Sequence, residues 1–265
     1  MSSQTSYDGH LNLPELYDEI PLYNSRRDVD FYLDLCRETG EMLELGCGTG
    51  RVLIGAAKTG CSVTGVDNSK HMLARCRAKA DVLSSEVRDR IRLIEADMTD
   101  FQLSRTFRLI TVPFRPIQHL ITIKEQLEFL RCVHRHLQPG GRFVFDVFNP
   151  NLALLAAPVS PEEIEDTPEF VLPDGHRLRR TFRMLRKRYA EQCTDCELIY
   201  YLDDRRIVQP LTMRYFFRFE LEHLLARTGF QLVALYGGFD GSAFADNSAE
   251  MIFVATRSST IPPKP

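Results

Sequence analysis

Three glycines and three carboxylates form the clearest chemical pattern in this 265-residue sequence. The glycines alternate with other residues in the stretch LELGCGTGR, residues 43–51, immediately after an apolar run. Glu44 precedes the first glycine, Asp67 ends the next apolar run, and Asp97 follows a third. Glycines let the backbone approach a ligand without hindrance from Cβ, while carboxylates accept hydrogen bonds from hydroxyl groups and attract positive charge. The pattern predicts a site for a cationic ligand with a ribose diol.

The spacing of these residues separates two classes of adenine-containing cofactor. Gly46, Gly48 and Gly50 form G-x-G-x-G, whereas the dinucleotide fingerprint is G-x-G-x-x-G. Asp67 lies 21 residues after Gly46, close to the roughly 20 residues expected for an acid that binds ribose. A pyrophosphate needs positive potential, so the acidic surroundings disfavour a nicotinamide dinucleotide. A nicotinamide-dependent oxidoreductase remains an alternative interpretation.

The elements that must position these residues alternate between strand-like and helical patterns. Strands are predicted at 42–45, 61–66, 91–95, 109–112, 143–148, 230–236 and 251–256. Helices are predicted at 28–38, 52–58, about 72–83, after the capping box of Thr122 and Glu125, and at 218–228. Pro139, Gly140 and Gly141 are expected to form a turn into the fifth strand. We predict an α/β fold with a doubly wound, mostly parallel, seven-stranded Rossmann-like sheet.

The pattern changes after the fifth strand, where residues 150–217 are predicted to form an antiparallel β insertion that serves as a substrate lid. Residues 149–173 are expected to be a loop, because five prolines interrupt them. Short period-2 segments follow near 177–184, 197–203 and 208–217. The predicted organisation has a helical cover at 1–40, a core at 41–149 and 218–257, this insertion, and a disordered tail at 258–265.

Several motifs together resemble those of the class I S-adenosylmethionine-dependent methyltransferases. Residues 41–148 carry the match: ELGCGTGR resembles that family's first motif, VDNSKHML the second, EADMTDF the third, and LITVPF with LQPGGRFVFDVF its later strand motifs. Within this family the insertion is similar to that of small-molecule enzymes, including amino-sugar N-methyltransferases. The resemblance implies S-adenosyl-L-methionine as cofactor and methyl transfer as the reaction.

The resemblance also implies roles for individual residues. The glycine turn should lie under the methionine portion, Asp67 should bind the ribose hydroxyls, and Asp97 should hold the adenine amino group beside the Met98 backbone. A tyrosine-containing segment should cover the cofactor, with Arg26 or Arg27 near its carboxylate. The implied cofactor-binding set is Tyr17, Arg26, Glu44, Gly46, Cys47, Gly48, Gly50, Asp67, Asn68, Met72, Asp97, Met98 and Pro113.

Structural interpretations of the same residues stay open. Asp97 and Asn68 also suit ordinary turn or helix N-cap positions, and Met72 suits the core. Arg26 with Arg27 equally fits a solvated surface pair.

The loop after the fourth strand, residues 112–120, should open onto the transferred methyl group. His119 and Arg115 are the catalytic candidates, because the unperturbed pKa of histidine lies nearest neutrality and allows it to accept a proton from a nucleophile. The alternative is that His119 packs against or caps the next helix. No acidic ligand cluster follows this strand, so a metal-dependent reaction is not indicated.

A dense basic run lies in the insertion, with six arginines and one lysine between residues 177 and 188. It could meet an anionic acceptor or RNA, but alternation with apolar residues favours the solvated face of a half-buried strand. The net charge of −3 argues against a nucleic-acid coat. Cys193 and Cys196 form a lone C-x-x-C pair, which is insufficient for structural zinc.

Composition completes the functional prediction. The scattered cysteines suit a reducing compartment, and the absence of a signal-like start or a long apolar run favours a cytoplasmic protein without a membrane anchor. We predict a methyltransferase acting on an N or O nucleophile of a small metabolite, compatible with a homodimer. A protein that binds the methyl donor without catalysis is the second alternative.

Overall fold

The computed structural model describes residues 13–258 of the chain. Expectations for residues 1–12 of the cover segment and for residues 259–265 of the tail therefore lie outside the described residues. Within 13–258, no helix is both long enough and apolar enough to cross a membrane.

A seven-stranded sheet forms the centre of the molecule, in the spatial order β10-β11-β5-β4-β1-β2-β3. The pairs β1–β2, β1–β4, β2–β3 and β4–β5 are parallel, whereas β11 runs antiparallel to β5 and β10. This confirms the predicted mostly parallel, doubly wound sheet. Its strands are β1 Glu41–Leu45, β2 Ser62–Asp67, β3 Ile91–Glu95, β4 Phe107–Val112, β5 Leu137–Phe148, β10 Phe230–Tyr236 and β11 Glu250–Arg257.

The strand order reverses between β1 and β4, because the chain first moves outward to β3 and then returns to the other side of β1. Crevices at such a switch point, outside the carboxyl ends of the strands, are the usual ligand sites of open α/β sheets. Glu44 of β1 pairs in register with Gly65 of β2 and Thr111 of β4. Its side chain therefore lies at the centre of the sheet, near this crevice.

Helices cover both faces of the sheet and enclose two separate apolar clusters. One cluster lies under α3, α4 and α5 and includes Tyr32, Leu53 and Leu73, while the other lies under α7 and α9 and includes Phe129 and Leu221. Burial of each such side chain contributes roughly 1.5–3 kcal/mol. The helices are α1 Leu13–Glu19, α2 Pro21–Asn24, α3 Asp28–Thr39, α4 Leu53–Lys58, α5 Lys70–Asp81, α6 Ser85–Arg88, α7 Ile123–His136, α8 Leu152–Ala156 and α9 Arg218–Arg227.

Caps are present at two helix ends, and the first of them was predicted from the sequence. Thr122 and Glu125 form a reciprocal capping box at the start of α7. Gly40 ends α3 in the left-handed conformation, with φ of +71°, and its N–H donates to the Cys36 carbonyl at 2.8 Å. Both contacts satisfy backbone groups that a helix end would otherwise leave unpaired.

The fifth strand is longer than predicted. It begins at Leu137, so Pro139, Gly140 and Gly141 lie inside it instead of forming a turn. The pairing with β4 shifts register between Phe107 and Leu109, opposite this segment. A local irregularity in the ladder thus accommodates residues that normally end a strand.

The insertion forms a separate antiparallel sheet in the order β6-β7-β8-β9. The prediction that residues 149–173 are a loop is wrong, because α8 and β6 lie within them. Pro168 is tolerated because β6 is an edge strand whose register shifts around this residue. The strands are β6 Ile164–Val171, β7 Arg177–Arg188, β8 Cys193–Leu202 and β9 Arg205–Arg214.

Most of the basic run faces solvent and is neutralised locally. Arg183 pairs with Glu197 at 2.6 Å, and Arg188 pairs with Asp195 at 3.1 Å. Arg180 is the exception, since it lies on the apolar face of β7 with 1% of its surface exposed. The interpretation as a solvated charged face therefore holds for its neighbours and is wrong for Arg180.

Candidate active site

One cavity of about 510 Å³ opens at the carboxyl ends of β1 to β4. This volume lies within the range typical of sites for small molecules. The predicted site residues that line it are Tyr17, Glu44, Gly46, Cys47, Gly48, Asp67, Asn68, Met72, Asp97, Met98, Pro113 and His119. Gly50, Arg26 and Arg115 are not among its lining residues.

The glycine turn is shaped by close backbone approach. Gly46 has φ of +72°, and a Cβ there would lie 2.7 Å from the Pro116 ring. Gly50 has a different role, because a Cβ there would lie 2.5 Å from the Cys76 sulfur of α5. Gly46 thus lets the loop after β4 approach the cavity, whereas Gly50 packs the turn against a helix.

Glu44 is the most unusual group in the cavity wall. Only 3% of its surface is exposed, and its Oε2 has no hydrogen-bond partner among the described residues. Burial raises the pKa of Glu44 to about 8, against the opposing influence of the Arg51 guanidinium, while the nearby Asp67 and Asp28 carboxylates raise it further. A buried, unpartnered carboxyl oxygen at a cavity favours a ligand that supplies a cation or a hydrogen-bond donor.

The other two carboxylates occupy the tips of neighbouring strands. Asp67 accepts hydrogen bonds from the Gly48 N–H at 2.8 Å and from the Ser69 N–H at 2.9 Å. Asp97 accepts from the N–H and the hydroxyl of Thr99, so it has the turn-forming role considered from the sequence while it also lines the cavity. Asn68 is not an N-cap, since Ser69 caps α5.

The two predicted arginines lie behind the cavity wall. Arg26 pairs with Asp146 at 2.8 Å, and Arg115 pairs with Glu250 at 2.5 Å. The structure therefore does not bring either side chain to the ligand space. Buried acids on distant strands, Asp146 and Glu250, determine where the two guanidinium groups lie.

Arg51 is the arginine that does line the cavity, and the sequence prediction omitted it. Its guanidinium donates to both carboxylate oxygens of Asp28, at 2.8 and 2.5 Å, and lies over the Phe114 ring at 4.8 Å. The sequence does contain a signal for this role, because Arg51 directly follows the glycine turn.

Aromatic residues cover one side of the cavity. Tyr17 of α1 lines it, with its ring centroid 4.7 Å from that of Tyr23 and 6.3 Å from that of Phe114. Burial raises the pKa of the Tyr17 hydroxyl well above its usual value, so this tyrosine stays neutral. This aromatic side of the cavity is apolar apart from the tyrosine hydroxyl groups.

The far side of the cavity is formed by the loop after β4 and by the insertion. His119 belongs to a 3₁₀ turn, Pro116–His119, and lines the cavity, as does Glu125 of α7. Pro210, Leu211 and Thr212 of β9 complete this wall, so the insertion contributes a strand other than the basic one. His119 is accessible from the cavity although protein surrounds it, and burial lowers its pKa.

Metal-ligating side chains do not cluster in residues 13–258, where no group of three or more His, Cys, Asp or Glu could hold an ion. Cys193 and Cys196 are buried free thiols, and burial raises the pKa of Cys196 to about 12. A group with this pKa is a protonated thiol near neutral pH.

A family model described as a methyltransferase domain matches residues 42–141. The cypemycin N-terminal methyltransferase of Streptomyces sp is 32% identical over 110 residues, which cover 41% of this chain and 42% of that protein. The ubiquinone biosynthesis O-methyltransferase of Pseudomonas aeruginosa is 30% identical over 145 residues, which cover 54% of this chain and 58% of that protein. The chain thus spans about half the length of these curated relatives or less.

Solved structures match almost the whole chain. The CcbJ methyltransferase from Streptomyces caelestis superposes with a TM-score of 0.79 at 23% identity, over 96% of this chain and 99% of that one. The sugar N-methyltransferase KedS8 from Streptoalloteichus sp superposes with a TM-score of 0.69 at 22% identity, over 92% and 93%. Residues 42–141 thus match a methyltransferase domain, and the chain shares the fold of these two methyltransferases, which is the fold predicted from the sequence motifs.

Proposed function

We propose that the protein transfers a methyl group from S-adenosyl-L-methionine to a nitrogen or oxygen nucleophile of a small metabolite. The observation that carries this proposal is Glu44, a carboxyl group with an unpartnered oxygen in the cavity wall. A ligand that combines positive charge with hydroxyl donors satisfies Glu44 and the two strand-tip carboxylates together. A dinucleotide would instead bring a pyrophosphate toward three acids, which disfavours the oxidoreductase alternative.

The residues present fit this cofactor. Glu44 would hold its positively charged portion, Asp67 its ribose hydroxyls, and Asp97 with the Met98 backbone its adenine. Arg51 would face its carboxylate, in place of the arginines expected from the sequence. Gly46 and Gly48 line the cavity with backbone alone, and the missing Cβ atoms let Pro116 and the Met72 side chain approach the turn. When bound, the cofactor supplies a methyl group already activated by a sulfonium.

The protein itself must then align the acceptor with the methyl group and remove a proton from the acceptor. Orientation of reacting groups can contribute roughly 7–11 kcal/mol in favourable cases. His119 is the base in this proposal, because its lowered pKa keeps the imidazole neutral near pH 7 and able to accept a proton. Arg115 has no catalytic role in it, since its side chain is bound to Glu250.

The acceptor side favours a compact, partly apolar substrate. Leu120, Ile121 and Leu211 line this wall together with the polar groups of Glu125 and Thr212. Glu125 would attract an acceptor that carries an amino group. The similarity to the sugar N-methyltransferase KedS8 supports amino-sugar-like acceptors as the first class to test.

The cellular setting is part of the proposal. All seven cysteines are buried and unbridged, which supports action in a reducing compartment such as the cytoplasm.

Calorimetry with purified protein tests the cofactor, and product detection tests the reaction. Wild-type protein should bind both S-adenosylmethionine and S-adenosylhomocysteine, and Glu44→Gln should weaken binding of the sulfonium form more than that of the thioether. Glu86→Gln, an exposed glutamate on α6, is the matched control. A panel of small amines and alcohols is then screened for release of S-adenosylhomocysteine.

Absence of binding at millimolar ligand would overturn the proposal. Binding without product from any acceptor would instead support the non-catalytic alternative.

A further inference from the structure

Residues 13–24, which comprise α1 and α2, form a strap that lies between the glycine turn and the insertion. Tyr17 in this strap lines the cavity. The contacts on its two sides differ in chemistry. Charged and polar side chains of the core contact one side of the strap, whereas an apolar face of the insertion, with one buried arginine, contacts the other side.

Asp18 holds the strap to the cofactor side of the core. Its Oδ1 accepts hydrogen bonds from the Thr49 hydroxyl at 2.6 Å and from Lys79 at 2.8 Å, and its Oδ2 accepts from Arg75 at 2.8 Å. The side chain is only 12% exposed. Thr49 belongs to the glycine turn and lines the cavity, so Asp18 contacts a segment that must surround the cofactor.

The opposite side of the strap packs on the sheet of the insertion. Leu13, Leu16 and Ile20 are buried in one cluster with residues of β7, β8 and β9. This cluster is separate from the two clusters of the main sheet. The aliphatic side chains of the strap therefore pack with the insertion, whereas Tyr17 and Tyr23 also contact Phe114 in the loop after β4.

Arg180 provides the polar link between the insertion and the strap. Its Nη1 donates to the Tyr23 hydroxyl at 2.6 Å, its Nε donates to Asp166 at 2.9 Å, and its guanidinium lies 4.7 Å from the centre of the Tyr23 ring. Because Tyr23 also contacts Tyr17, a continuous set of contacts joins β7 to the cavity cover.

We propose that Asp18 and Arg180 are positioning residues that make the strap transmit cofactor binding to the insertion. This inference rests on the proposed function. A cofactor that orders the glycine turn strengthens the Asp18 contacts, and the strap then holds the insertion sheet through Tyr23 and Arg180. The acceptor wall formed by β9 is consequently set in place when the cofactor site is filled.

Hydrogen exchange measured by mass spectrometry tests the coupling in the full chain, with S-adenosylhomocysteine as the probe. In wild-type protein the probe should slow exchange in residues 13–24 and also in the insertion hairpin, residues 177–202. Asp18→Asn should weaken probe binding about tenfold, in line with the loss of hydrogen bonds to a charged group, and should reduce both protections.

Two variants separate the link to the insertion from cofactor binding. Tyr23→Phe removes the hydroxyl but keeps the ring, and Arg180→Met removes the guanidinium. Each should bind the probe within about threefold of wild type, as expected for contacts outside the cavity, and lose the protection of residues 177–202. Arg186→Gln, on the same strand with an exposed side chain, should behave as wild type. If Arg180→Met fails to fold, Tyr23→Phe still gives the decisive comparison.

Probe binding with unchanged exchange in residues 177–202, or with full protection in Tyr23→Phe, would overturn the coupling and leave the proposed function intact. Failure of wild-type protein to bind the probe would overturn the proposed function itself.

Discussion

Asp146 on β5 fixes the backbone of Phe114 in the loop after β4. Its Oδ1 accepts the Phe114 N–H at 2.8 Å and the Tyr32 hydroxyl at 2.8 Å, while its Oδ2 pairs with Arg26. Phe114 and Arg115 have φ of +65° and +73°, a conformation that costs non-glycine residues roughly 1–2 kcal/mol each. A buried carboxylate thus offsets strain in the loop that carries the cavity wall.

Replacing Asp146 should destabilise the fold and disturb the cavity together. Asp146→Asn removes the nearest of the three carboxylates around Arg26, since Asp28 and Glu250 lie at 3.3 Å. We therefore expect a loss of about 2 kcal/mol in the free energy of unfolding, as for a buried hydrogen bond to a charged group. Affinity for S-adenosylhomocysteine should also fall, because the Phe114 backbone loses a charge-assisted contact. Chemical denaturation and calorimetry measure the two effects.

Asp34→Asn, which breaks an exposed pair with Arg37, is the control and should change stability by less than about 1 kcal/mol. Equal effects of the two substitutions would contradict this role.

Glu44 should make the stability of the unliganded protein depend on pH. Its pKa is raised from 4.5 to about 8, so the folded state binds a proton that the unfolded state releases. The stabilisation from this proton is fully present below pH 4.5 and is lost as pH rises through 8. Between pH 5 and 8, Glu44→Gln should therefore lose about 3 kcal/mol less stability than wild type. Chemical denaturation at several pH values measures the free energy of unfolding of both proteins. If this free energy had the same pH dependence in wild type and in Glu44→Gln, the raised pKa would not belong to Glu44.

The same carboxyl group should release a proton when the cationic cofactor binds. Positive charge beside Glu44 favours its ionised form, so binding of S-adenosylmethionine at pH 7 should expel protons and tighten as pH rises toward 8. Calorimetry in buffers of different ionisation enthalpy measures the proton count. The neutral thioether product should release fewer protons, and Glu44→Gln should release none from this group.

His119 should affect methyl transfer more than cofactor binding. If it removes the acceptor proton, His119→Ala should slow transfer by about 10²-fold or more while the dissociation constant of S-adenosylhomocysteine changes by less than about threefold. Because burial lowers the pKa of His119, the wild-type rate should begin to fall only below pH 6.5. His223→Ala, on the exposed face of α9, should leave both quantities unchanged. Parallel losses of rate and affinity in His119→Ala would assign it to cofactor binding.

Gly46 should tolerate no side chain, for two separable reasons. Gly46 and Gly40 have nearly the same φ, +72° and +71°, but only Gly46 faces a close neighbour, Pro116. Gly40→Ala should cost roughly 1–2 kcal/mol from backbone strain alone. Gly46→Ala should cost more, since the added Cβ displaces the loop after β4, and it should abolish cofactor binding. If both variants lost similar stability, the close approach of Pro116 would not contribute to the cost of a side chain at Gly46.

Sequence patterns predicted the central architecture well because the relevant signals are local. Strands 91–95 and 230–236 match β3 and β10, and the capping box at Thr122 lies where it was predicted. These elements depend on the periodicity of apolar residues and on contacts between residues close in the chain. The glycine turn, Glu44 and Asp67 could equally be predicted, since the turn directly follows β1, Glu44 lies within β1 and Asp67 ends β2.

Predictions failed where distant partners decide the outcome. Arg26 and Arg115 bind acids on β5 and β11, Arg51 reaches the cavity because Asp28 holds it, and Arg180 is buried because Tyr23 and Asp166 pair with it. The edge strand β6 likewise forms only because β7 lies beside it. None of these pairings leaves a periodic signal in the sequence.

The strands of the central sheet, the glycine turn and the acidic strand tips were thus determined by the sequence itself, since apolar periodicity and glycine geometry act over a few residues. The assignment of each charged side chain to the cavity or to the wall behind it was decided only by the tertiary structure. A buried charge must lie beside a counter-charge to offset the loss of hydration, and that partner can be more than a hundred residues away.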